Sequence, residues 1–254
     1  MKSDAKSTIE TGKAILGIEL GSTRIKAVLI DQENKPIAQG NHTWENQLVD
    51  GLWTYSIEAI WSGLQDCYAD LRSNVKNLYG IEIENLAAIG VSAMMHGYMP
   101  FNAKEEILVP FRTWRNTNTG RAAAALSDLF VYNIPLRWSI SHLYQAILDN
   151  EAHVKDIDFL TTLAGYVHWQ LTGEKVLGIG DASGMLPIDP TTHNYSAEMV
   201  AKFDKLIAPN QYNWTLQDIL PKVLSAGESA GVLTPEGSKK LDASGHLKAG
   251  IPVC

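Results

Sequence analysis

The sequence predicts an α/β domain whose mixed sheet opens as an antiparallel meander and carries helices on its faces. Three observations predict it. Apolar runs at residues 14–20, 23–31 and 36–44 follow one another too closely for the crossovers that parallel pairing needs. Trp53, Ile57, Ile60, Trp61, Leu64, Tyr68, Leu71, Val75 and Leu78 then recur at helical spacing, the pattern of one long amphipathic helix. Strand character returns at 86–93, and strands interrupted by a helix suggest a layered sheet.

Each element has a local reason. AILGIEL at 14–20 is a short buried strand, preceded by a polar extension at residues 1–13. In the second strand Ile25, Ala27 and Leu29 share one face, and Glu33-Asn34-Lys35 turns the chain into the third. Gly80 ends the long helix, LAAIGVSA follows as a strand, and further apolar segments lie at 98–101 and 107–111. The middle third is expected to be helical at 119–130, 140–150 and 159–172, the last with Leu160, Leu163, Val167 and Leu171 on one face and Gly173 as its stop. Ser196 caps a helix over 197–207, and Thr234-Pro235-Glu236 starts another. After Gly250, residues 251–254 read as the beginning of a further strand.

Composition narrows the function. With 45% hydrophobic and 19% charged residues the chain reads as globular, and a net charge of −7 without a basic stripe argues against nucleic acid as a partner. Cys67 and Cys254 form no CxxC or Cys/His cluster, so neither a disulfide framework nor a zinc site is expected. The N-terminus lacks the apolar core of a signal peptide and no run approaches a membrane span, so no membrane partner and a cytoplasmic location are expected.

Chemistry concentrates first at Gly21-Ser22-Thr23. A tight turn there presents backbone N–H groups and two hydroxyls toward one point, a nest suited to phosphate oxygens. Arg24 and Lys26 add positive charge, and the Glu19 carboxylate is a candidate for holding Mg²⁺ directly or through water. A plain Gly/Ser hairpin has the same appearance, so the turn alone decides nothing.

The blocks that follow resemble a known family in the right order. Ile18-Glu19-Leu20-Gly21-Ser22-Thr23 with Lys26 resembles the first phosphate motif of the FGGY carbohydrate kinases, and Met95-His96-Gly97 resembles the sugar-contacting Met-His-Gly of their xylulokinase-like members. Thr113-Trp114-Arg115-Asn116, Leu171-Thr172-Gly173 and Asp181-Ala182-Ser183-Gly184 are similar to three further family blocks. The resemblance implies a ribonuclease-H-like (actin/hexokinase-type ATPase) domain with a five-stranded sheet, spanning residues 14–250. It implies ATP and Mg²⁺ as cofactors, with Gly21, Ser22, Thr23 and Lys26 on the phosphates and Glu19 at the metal. Met95, His96, Trp114 and Asn116 would hold a sugar, a ketopentose such as xylulose. Two positions depart from the family pattern: Glu19 replaces the usual Asp, and Asn116 stands where many relatives carry Asp.

No catalytic residue is expected within this chain, because the family's general-base Asp follows the strand that 251–254 would begin. The other partner is then a C-terminal domain, with a homodimer expected of the full-length protein and no turnover expected of residues 1–254 alone. Two other classes compete. A non-catalytic sugar- or nucleotide-binding module would account for Glu19, and the reading frame past Cys254 discriminates it. An oxidoreductase reading of the glycines at 178–184 fails on spacing, GxGxxxG, in a stretch expected to be a loop or short strand.

Overall fold

The computed structural model describes residues 2–254; Met1 lies outside the described residues. The polar extension forms helix α1 (Lys2–Glu10), pinned by Ile9, which is buried. Strands β1 (Ile15–Leu20), β2 (Arg24–Ile30) and β3 (Pro36–Thr43) make the expected antiparallel meander, with Leu20 opposite Ile25 and Glu19 opposite Lys26. A hairpin that period-counting does not show comes next: β4 (Gln47–Val49) and β5 (Leu52–Thr54), joined at Asp50-Gly51 with both residues at positive φ, 49° and 79°. Aspartate followed by glycine is the sequence that this turn favours.

Helix α2 (Ile57–Tyr79) therefore starts later than Trp53, where the Ser56 hydroxyl accepts the Ala59 N–H at 3.1 Å. It ends at Gly80, whose φ of 72° suits a residue without Cβ. Ile60, Leu64, Leu71 and Val75 bury against Leu16, Ile18, Ile25 and Leu29, forming the main core. The helix crosses β3 so closely that a Cβ on Gly40 would lie 2.2 Å from the Cys67 carbonyl oxygen.

Strand β6 (Ala88–Ala93) adds in parallel to β1, giving the order β3-β2-β1-β6. The sheet is thus mixed, with four strands in regular ladders. Residues 252–254 lie along the outer edge of β6: Cys254 donates to the Ile89 carbonyl at 2.8 Å, and the Pro252 carbonyl accepts from Ile89 N–H at 2.9 Å. Pro252 has no N–H to give, and the pairing stays an isolated bridge at Val253.

The middle third builds a second core from Leu126, Leu143, Met185, Leu186, Phe203 and Leu216. Helices α3 (Gly120–Phe130) and α4 (Ser139–Leu148) supply much of it, whereas β7 (Met99–Phe101) and α5 (Leu163–Thr172) pack into the main core and β8 (Phe159–Thr161) lies between the two. The helix expected over 159–172 is corrected here: Phe159–Thr161 pair antiparallel with β7, and the Thr162 hydroxyl caps α5 by accepting from Gly165 N–H at 3.3 Å. Apolar residues 159–161 serve a strand as well as a helix, so periodicity alone could not separate the two. Strand β9 (Val176–Gly178) then leads into the one-turn helix α6 (Ile179–Ala182), more order than the expected loop or short strand. The chain closes through β10 (Ile188–Asp189), β11 (Asn194–Tyr195), α7 (Ala197–Ile207), α8 (Leu216–Ile219), β12 (Lys222–Leu224) and α9 (Pro235–Leu241). Among the described residues strand β9 pairs with β12 alone, which with the one-turn α6 leaves no dinucleotide-binding unit around the 178–184 glycines there.

Candidate functional site

Parallel pairing of β1 and β6 places their carboxyl ends side by side, where ligands of open α/β sheets bind. One hydrogen bond, Met94 N–H to the Leu20 carbonyl at 2.9 Å, ties the two exits together. The Gly21–Thr23 turn leaves from β1, and Met95-His96-Gly97 leaves from β6.

The turn is held from behind through the Gly21 N–H and its own carbonyls, Thr23 O accepting from Trp44 N–H at 3.2 Å. Arg24 O accepts from Gly21 N–H at 3.0 Å, Gly21 O accepts from the Trp44 indole at 2.7 Å, and Ser22 O accepts from the Tyr55 hydroxyl at 2.5 Å. Trp44 and Tyr55 stack with centroids 4.2 Å apart, so these two donors brace each other. Among the described residues, nothing bonds to the N–H groups or hydroxyls of Ser22 and Thr23, both exposed. The donors that a phosphate would use are free, whereas the carbonyls that would repel it are occupied.

A Cβ on Gly21 would sit 3.0 Å from Arg24 O, so the turn admits little beyond glycine. Lys26 stands 3.5 Å from Glu19, both about half exposed and paired across β1 and β2. Among the described residues no three His, Cys, Asp or Glu side chains converge to cage a metal. A hard cation here would be held by Glu19 with phosphate oxygens and water, which suits Mg²⁺.

His96 occupies the left-handed region at φ 73°, and its Nδ1 lies 3.4 Å from the Gly184 carbonyl. That carbonyl can only accept, so Nδ1 carries the proton and Nε2 keeps a lone pair. Burial pushes the His96 pKa below its usual value, against the Gly184 carbonyl and with help from the positive charge of Arg137. The imidazole is neutral at pH 7 and offers one acceptor. Gly184 is required beside it: a Cβ there would lie 2.6 Å from His96 Nδ1 and 3.1 Å from Met95 Cε. The Asp-Ala-Ser-Gly block therefore acts by packing on the Met-His pair.

Trp114 is 36% exposed and lines an open cleft of about 450 Å³ with Trp53, Arg115, Thr117, Pro135, Leu136 and Arg137. Asn116 is placed differently. It is 4% exposed, its Oδ1 accepts from Trp53 N–H at 2.9 Å, and its Nδ2 donates to Trp53 O at 2.8 Å and Thr113 O at 3.0 Å. Its amide is spent on backbone, so Asn116 fixes the Trp53 and Trp114 segments and presents no free donor. Asp181 is half-buried, accepts a short hydrogen bond from the Thr162 hydroxyl, and has its pKa raised by burial.

Four residues of this region lie outside every motif in the sequence, Trp44, Trp53, Tyr55 and Arg137, and Arg115 sits in a motif block that gives it no role. The signal that could have found Trp53 and Tyr55 is the Asp50-Gly51 hairpin, which returns both to the site. Trp53 grips Thr113 and Asn116, while Tyr55 grips Ser22, so this one segment sets the Gly21–Thr23 turn against the aromatic cleft.

The Gly21–Thr23 turn and the Met95-His96 pair thus stand together at the carboxyl ends of β1 and β6, and comparison with known proteins gives the class of the chain. Residues 14–254 match the FGGY family of carbohydrate kinases, N-terminal domain, and the chain belongs to that family. Xylulose kinase of Escherichia coli (strain K12) is 20% identical over 231 residues, covering 88% of this chain and 45% of the relative. A crystal structure of a xyloylose kinase from Brucella ovis superposes with a TM-score of 0.75 at 21% identity, over 95% of this chain and 48% of that one. Gluconate kinase from Lactobacillus acidophilus gives 0.76 at 19% identity, over 95% and 47%. The chain thus spans about half the length of the relatives it matches.

Proposed function

We propose that this chain is the phosphate- and sugar-binding lobe of an ATP-dependent carbohydrate kinase. The observation that carries the reading is the Gly21–Thr23 turn, its carbonyls tied back and the N–H and hydroxyl donors of Ser22 and Thr23 free, beside the Met95-His96 exit. In the proposal Gly21, Ser22, Thr23 and Lys26 hold the terminal phosphates of ATP. Mg²⁺, placed by Glu19 through phosphate and water, supplies charge neutralisation when bound. Met95 and Trp114 offer apolar faces to the sugar, and the His96 lone pair accepts from one hydroxyl. Asn116 contributes by orienting Trp114. The xylulose kinases among the relatives favour a ketopentose such as xylulose.

The lobe is read as ribonuclease-H-like, with 14–250 as the domain and 251–254 as a fifth strand leading to a C-terminal domain that supplies the general-base Asp. Phosphoryl transfer depends on alignment and charge neutralisation, so a site divided between two closing lobes keeps water out until both substrates are bound. On this reading residues 1–254 turn over no ATP alone but do bind it. Titrating Mg·ATP into the labelled chain should shift the amides of Ser22, Thr23 and Lys26 and the Trp44 indole. Shifts confined to other surfaces would refute the assignment.

A further inference from the structure

The chain has six arginines, and their pairing is uneven. Arg72, Arg112 and Arg121 each form salt bridges with carboxylates. Arg24, Arg115 and Arg137 form none among the described residues, although the chain is acidic at −7. All three lie around the site: Arg24 beside the phosphate turn, Arg115 and Arg137 in the aromatic cleft. The cleft is lined by no Asp or Glu.

The two cleft arginines are set differently. The Arg115 guanidinium lies 3.6 Å from the centroid of the Trp53 ring, a stack that orients its plane yet leaves its N–H edge unspent. Trp53 is itself fixed by Asn116, so Arg115 rests on a braced platform. Arg137 follows the exposed Leu136 on the other wall, near enough to His96 for its charge to act on the imidazole. Neutral sugars gain little from two guanidinium forks with no counter-charge, whereas a carboxylate or phosphate matches such a fork in bidentate fashion.

We propose that the ligand of this cleft is an anionic polyol, a sugar-like chain bearing a carboxylate or phosphate at the end held by Arg115 and Arg137. The proposal rests on the kinase reading above and narrows its substrate class away from neutral ketoses. Trp53 and Trp114 take the carbon chain, and the charged end lies between the arginines.

Three probes on one carbon skeleton test it: D-gluconate, D-glucitol and D-glucitol 6-phosphate, titrated into the chain at low ionic strength and followed by calorimetry. One charge-assisted contact is worth a roughly tenfold preference, so at least one anion should bind about tenfold more tightly than glucitol. Arg115→Gln and Arg137→Gln should each erase that preference, read as the ratio of anion to glucitol affinity within each variant. Whichever anion wins identifies the group recognised. Equal binding of all three probes, or a preference that survives both substitutions, would overturn the proposal. If the three probes bind equally and glucitol loses affinity in Trp114→Ala, the kinase reading stands while the anionic class falls. Absence of saturable binding by any probe overturns the sugar pocket and the proposal together.

Discussion

His142 on α4 offers the sharpest test of the physical chemistry beneath the site. It is fully buried, both ring nitrogens lack a partner among the described residues, and its nearest aromatic neighbour is Tyr98, with centroids 6.2 Å apart. Burial, aided by the Arg112 charge, pushes its pKa down to about 3. The sign follows from that direction. Below about pH 6.5 the unfolded chain takes up a proton at this ring that the folded chain refuses, so stability is lost as the pH falls from there toward 3. At pH 4.5, two units below the unfolded value, the loss from this residue comes to about 3 kcal/mol, a large fraction of a typical folding free energy. Urea unfolding followed by tryptophan fluorescence at pH 7 and pH 4.5 measures it. His142→Leu should keep the pH 7 stability or raise it, because two unsatisfied nitrogens are removed, and should shed about 3 kcal/mol of the acid loss. Other buried histidines titrate in the same window, but they cancel in the difference between the two proteins. An acid loss of the same size in the variant would refute the burial argument.

Three further outcomes follow from the same structure. Gly184→Ala should weaken sugar binding by about tenfold at nearly unchanged melting temperature, since its Cβ displaces His96; unaltered affinity by calorimetry would separate the Asp-Ala-Ser-Gly block from the Met-His pair. Tyr55→Phe removes the hydroxyl that holds Ser22 O and should weaken Mg·ATP binding several-fold at a stability cost of about 1 kcal/mol, read by calorimetry and urea titration. Asp181 has a raised folded pKa, so its contribution to stability declines as pH rises from the unfolded carboxylate value through the folded one. Asp181→Asn, which still accepts from Thr162, should therefore be more stable than the parent at pH 7 and show a flatter profile above pH 4.

Much of this fold is legible in the sequence because its signals are local. The meander follows from short spacing, α2 from its apolar period and from Gly80, and α9 from a hydroxyl cap followed by proline. The tight turn at Gly21–Thr23 is legible for the same reason, because a Gly-Ser-Thr cluster between two apolar runs announces it. What escapes is tertiary. Residues 159–161 read as helix until β7 is there to pair with them. Asn116 reads as a ligand until its amide is found clamped to Trp53. Arg115 and Arg137 are 22 positions apart and carry no shared pattern; only the cleft makes them one feature.

The central claim is that the free donors of Ser22 and Thr23 and the cleft beyond His96 serve one phosphoryl transfer. A coupled assay of ADP release by the protein of the complete reading frame, run against ketoses, polyols and aldonates, tests it most directly. The account predicts ADP release that depends on one of these acceptors, vanishes in Gly21→Val, and falls sharply in Trp114→Ala. ADP release independent of every acceptor, or acceptor-dependent release that survives Gly21→Val, would contradict it.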